Sequence, residues 1–210
     1  MMPVKSFLIL VSICLILSFS LLAAGQYNME KMDNPLIERG VESINMLAFE
    51  DARDSFKQAI KLDPNSTDGY YGLGLATFFD PEFDSEDALK YFDKALEIDP
   101  LDYRALSYKG AVLALIGNNE EAMKCTEKAL FLNASWDHAW NNRGVVLYYS
   151  HNYNDALDCL DKAIDLDSDK DIIGDAYFNK GMIYEDLGRN READEAFAKA
   201  GELGTIGSKD

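Results

Sequence analysis

The stretch Glu86–Pro100, EDALKYFDKALEIDP, decides the reading of this chain, because versions of it recur at a fixed interval. They are DARDSFKQAIKLDP (Asp51–Pro64), EAMKCTEKALFLNA (Glu121–Ala134), DALDCLDKAIDLDS (Asp155–Ser168) and EADEAFAKAGELG (Glu192–Gly204). Each forms the second half of a unit of about 34 residues, and self-similarity at that period is the signature of a repeat architecture. Within each unit a glycine stands in the first half, at Gly40, Gly74, Gly110, Gly144 and Gly181. Two alanines seven residues apart follow: Ala52/Ala59, Ala88/Ala95, Ala122/Ala129, Ala156/Ala163 and Ala193/Ala200. Between them sits a larger residue: Phe56, Phe92, Thr126, Leu160 and Phe197. Small residues remove bulk where the two helices of a hairpin cross, the large one fills the gap to the next hairpin, and Pro64 and Pro100 stop the helices they follow.

This pattern resembles the tetratricopeptide repeat family, W-x2-L-G-x2-Y, then A-x3-F, then P. Trp140, Gly144 and Leu147 carry the first-helix motif most fully, with Tyr70, Leu73, Gly74 and Thr77 in the second unit and Tyr177, Gly181 and Tyr184 in the fifth. The resemblance implies an all-α, right-handed superhelical solenoid of stacked antiparallel helix pairs over residues 34–204. Its repeats would span approximately 33–66, 67–102, 103–136, 137–170 and 174–204, with a tail over 205–210. The units are not identical. Gly74 to Ala88 is fourteen residues where the other units have twelve, and Ala163 to Gly181 is eighteen where the other junctions have fifteen. With these insertions, Thr126 in place of an aromatic and Ala134 and Ser168 in place of the terminal proline predict slightly loose packing around the third and fourth units.

Ahead of the repeats, Ser6–Ala24 is nineteen residues without a charge, followed by a polar spacer over 26–33. Small residues at Ala23, Ala24 and Gly25 suit a cleaved secretory signal. The run is also long enough for a retained membrane-spanning helix. Both readings deliver the repeats across the cytoplasmic membrane, secreted or anchored at the cell surface, with the membrane met only through residues 1–25. Two sequons, at Asn65 and Asn133, fall in connections between units and are candidates for glycosylation.

Net charge is −17, and removing the first 25 residues leaves 37 acids against 19 bases, or −18. That excludes nucleic acid, whose phosphates need clustered Lys and Arg. Cys125 and Cys159 occupy matching points of successive repeats, too far apart for a disulfide, and read as free thiols. No nucleophile stands with a partnered base, and Cys125, His138, His151 and Cys159 lack zinc spacing. The chain reads as a non-catalytic scaffold with no cofactor.

The resemblance implies that a partner peptide lies on the concave face lined by first helices. Residues assigned there are Tyr71, Leu75, Phe78, Arg104, Tyr108, His138, Asn141, Asn142, Tyr148, Phe178 and Asn179. Asn142 and Asn179 precede their glycines by two residues, and two amides one repeat apart could hold an extended backbone. Relatives that bind chaperone tails place Lys and Arg on this face; here Ile37, Val41, Tyr71, Leu75, Asp175 and Asn179 stand there, so that specificity is rejected. Packing between first helices is the competing role for at least half of the aromatic residues. Asp165, Asp167, Asp169 and Asp171 alternate like a calcium loop, but Lys170 and Ala176 occupy the positions that need Gly and Glu. The second functional reading is a calcium-stiffened spacer of the cell envelope. The acidic turn around Asp80 reads as solvated.

Overall fold

Four of the five hairpins are closed by one backbone device. In a computed structural model of the chain, which describes residues 34–82, 85–166 and 170–203, Leu47, Gly117, His151 and Gly188 each take a positive φ between two helices. The residue after each donates its N–H to a carbonyl five residues back: Ala48 to Ser43, Asn118 to Leu113, Asn152 to Leu147 and Arg189 to Tyr184. This left-handed cap satisfies carbonyls that the helix end would otherwise leave open. Helix starts are equally local. Asn34 accepts from the Leu36 N–H ahead of Pro35, Ser66 from Gly69, and Asp102 from Arg104 and Ala105.

The described residues form ten α-helices and no strand. The pairs are α1 (Pro35–Asn45) with α2 (Phe49–Leu62), α3 (Thr67–Phe78) with α4 (Ser85–Ile98), and α5 (Tyr103–Leu115) with α6 (Asn119–Leu132). They continue with α7 (Asp137–Tyr149) and α8 (Tyr153–Leu166), then α9 (Lys170–Asp186) and α10 (Asn190–Glu202). Successive first helices touch one another, and each second helix touches its own partner and the first helix that follows; second helices make no comparable contact among themselves. First helices therefore form the inner row of the solenoid and second helices its outer row.

Phe56 shows why the spacing works. A Cβ at Gly40 would lie 2.6 Å from its ring and one at Gly72, on the next hairpin, 2.3 Å from it. The ring is fully buried between two backbones that only glycine lets approach. The same close approach joins Gly74, Gly144 and Gly181 to Phe92, Leu160 and Phe197. Phe92 then stacks on Tyr108 of the following hairpin, centroids 6.2 Å apart. All ten repeat alanines are buried.

Two expectations are corrected. The gap left by Thr126 is filled: Arg143, from the next hairpin, donates to Thr126 Oγ1 at 3.0 Å and to the Met123 carbonyl at 2.7 Å. The turn after α3 is not wholly solvated either. Asp80 is buried and pairs with Arg53 at 2.5 Å, across the junction from α2. The proposed N-terminal hydrophobic helix lies outside the described residues.

Candidate functional site

The inner row has a closed floor. Every residue from Tyr71 to Asp80 is buried, and so are Ser107, Ala111, Asn141 and Val145 on α5 and α7. Phe178 and Met182 of α9 pack against the apolar cluster built by the first three hairpins, whose members include Tyr71, Leu75, Phe78, Phe79 and Tyr108.

Five of the assigned residues form one contiguous group. Arg104 lies over the Tyr71 ring at 4.9 Å, Tyr71 meets Tyr108 at 6.1 Å, and Phe78 meets Tyr108 edge-on at 6.3 Å. Trp136 extends the group, 6.3 Å from Tyr108 and stacked on His138 at 4.8 Å. Trp136 was not assigned to the face from sequence; its place just ahead of α7, at the edge where Tyr103 begins α5, was the available signal, and the two rings meet at 5.2 Å. Arg104 is bound to Asp68 and Asp102, each at 2.7 Å, and His138 Nδ1 sits 2.8 Å from Asp137. Tyr71, Leu75, Phe78, Tyr108, Asn141 and Asn142 are buried, while Arg104, His138, Tyr148, Phe178 and Asn179 are half-buried.

The asparagines spend their amides between helices. Asn142 Nδ2 donates to Ser107 Oγ at 3.0 Å, and Asn179 Nδ2 donates to Asn141 Oδ1 at 3.0 Å. Equivalent positions in neighbouring repeats thus bond to the preceding residue of the helix before, not to each other. Tyr148 stands apart from the group, at the turn edge beside Tyr149 and Tyr153. Burial, with Asp186 nearby, raises its phenol well above the usual tyrosine range.

Cys125 and Cys159 are free thiols, and burial pushes both up, Cys159 to about 11. Asp165 is exposed at the end of α8 and Asp171 is buried on α9; Asp167 and Asp169 lie outside the described residues. Among the described residues no three His, Cys, Asp or Glu side chains group as metal ligands. Asn65 is exposed; Asn133 is half-buried, its side-chain carbonyl accepting from the Ser135 N–H and hydroxyl. No described helix is long and apolar enough to cross a membrane.

A basic residue just before the glycine reaches back to the preceding hairpin in three units. Lys109 bonds Asp93 at 2.8 Å and Glu121 at 3.1 Å, Lys180 bonds Asp161, and Arg143 makes the contacts given above. The period held this signal, since Arg39, Lys109, Arg143 and Lys180 are all in phase.

No curated protein matches the chain. Among solved structures it is similar to MamA, at 25% identity over 78% of this chain and 93% of that one, with a TM-score of 0.54. MamA from Desulfovibrio magneticus RS-1 aligns at 22% over 80% and 92%, TM-score 0.56. A thermophilic TPR protein of Thermus thermophilus, TTC0263, aligns at 19% over 80% and 89%, TM-score 0.68. Tetratricopeptide repeat models match residues 48–78, 84–135 and 137–203. Glycine-pinned hairpins, an inner row of first helices and matches running through all five units have one explanation: the chain belongs to the tetratricopeptide repeat family, and its fold is that of a protein–protein interaction scaffold.

Proposed function

We propose that the array is a non-catalytic docking module, delivered across or held at a membrane by Ser6–Ala24, that binds an extended segment of another envelope protein along its inner row. The observation that carries this reading is the half-buried strip of Arg104, Trp136, His138, Phe178 and Asn179 beside a buried aromatic floor. Arginine and large aromatics concentrate binding energy because they bury much area for little lost freedom. With the floor filled by the chain's own side chains, a partner segment runs over this strip and does not sink between the helices.

The test is capture from solubilised envelope by the purified array, in parallel with an Arg104→Ala/His138→Ala variant that keeps the helicity of the parent. Proteins retained by the first and lost by the second support the reading. Identical capture by both, or recovery of cytoplasmic proteins alone, would count against it.

A further inference from the structure

Antiparallel hairpins put the N-terminus of every first helix and the C-terminus of every second helix on one edge of the solenoid. That edge is unusually apolar. Phe131 at the end of α6 is 88% exposed, Leu62 at the end of α2 is 75% exposed, and Leu101 ahead of α5 is 58% exposed. Half-buried Tyr103 and both tryptophans of the chain, Trp136 and Trp140, lie at the starts of α5 and α7 on the same edge. Trp140 donates its indole N–H to the Ala134 carbonyl, leaving an aromatic face whose polar atom is already satisfied. The chain enters the array here as well, because Asn34 caps α1 at this edge. The spacer 26–33 is eight residues long and can reach at most about 28 Å. The opposite edge exposes Met46, Ile116 and Leu187 but faces away from that entry point.

We infer that this edge rests on the bilayer that holds Ser6–Ala24, with Leu62, Leu101, Phe131 and Trp140 in its interface. The inference rests on the tethered form of the function proposed above, and it adds a second membrane contact to the N-terminal one. Tryptophan and tyrosine favour the headgroup level, where one part of the ring is apolar and the other wet. A single apolar anchor gains from a nearby interfacial patch because the tether holds the patch at high local concentration. Charge selects the lipid. Asp63, Asp68 and Asp99 line the same edge beside exposed Lys61 and Lys128, and with a net charge of −17 on the chain a zwitterionic surface suits it better than an anionic one.

Intrinsic fluorescence in a Trp136→Phe background tests this directly, since Trp140 is then the single tryptophan and reports on the edge. The full chain is reconstituted into phosphatidylcholine vesicles with brominated acyl chains and recovered by flotation. Tryptophan emission should be quenched relative to unbrominated vesicles, and less so when anionic lipid is included. Leu101→Asp/Phe131→Asp, at two exposed positions, should float equally well and regain its emission. Flotation without quenching overturns the edge contact and leaves the tether standing. Failure to float and to quench overturns both, and quenching that survives the double substitution overturns the assignment to this edge. A glycan on Asn133 of the native protein would hold the edge off the bilayer and overturn it too.

Discussion

At Phe56 a single ring sets the distance between two hairpins, and the residues facing it have no room to change. Gly72→Ala would bring a methyl to 2.3 Å from that ring. Alanine gains about 1 kcal/mol of helix propensity over glycine, whereas overpacking a filled core costs about 1–3 kcal/mol. The expected outcome is a net loss of stability, read as a lower urea midpoint. Gly40 was legible from the period; Gly72 was not, because its constraint comes from a ring in the preceding repeat. The reverse case is His151, which holds a positive φ without being glycine. His151→Gly relieves a left-handed cost of about 1–2 kcal/mol, and its urea midpoint should rise. The thiols set a pH dependence. The folded pKa of Cys159 is raised, to about 11, so its contribution is complete below the unfolded value and is lost as pH rises from about 9 to 11. The urea midpoint should fall across that window, and Cys159→Ala should flatten the fall.

Between elements, the junctions are keyed by polar contacts that the repeat pattern conceals. Thr126 was expected to loosen the third junction because the family places an aromatic there. The space is taken by Arg143, and nothing in a single repeat says that position 126 and position 143 meet. Removing the guanidinium leaves Thr126 Oγ1 with its bonds inside α6 but takes the interhelical donor from the Met123 carbonyl. Arg143→Ala should therefore cost about 1–3 kcal/mol. Thr126→Phe alone should also destabilise, because the ring and the guanidinium compete for one space. Combined with Arg143→Ala it should recover part of the loss, a coupling of about 0.5–3 kcal/mol in a double-mutant cycle. Lys109 makes the matching contact one repeat earlier. Burial works against its charge, but hydrogen bonds to Asp93 and Glu121 outweigh that and raise its pKa, so the contact is kept until strongly alkaline pH.

For the whole molecule, the helix order and the hairpin joints could be read from glycine and alanine positions alone, since both obey a local period. How far the inner face stays open could not. It depends on which side chains meet across non-adjacent repeats, and the sequence gives no sign that Phe178 and Met182 of α9 would pack on the cluster of the first three hairpins. Tyr71 shows the result: assigned to a binding face, it is 0% exposed. A solenoid whose repeats touch only their neighbours behaves as a one-dimensional chain, in which damage to the fifth hairpin weakens the fourth and leaves the second untouched. Phe178 and Met182 break that rule by packing on the cluster of the first three hairpins. Phe178→Ala/Met182→Ala removes half-buried apolar area and should lower global stability by about 1–4 kcal/mol. Amide hydrogen exchange decides what the loss means. Faster exchange in α3 and α5, three and two hairpins away from α9, is expected if distant repeats support one another. Changes confined to α7–α10 would show that the closed inner face carries no energy between distant repeats.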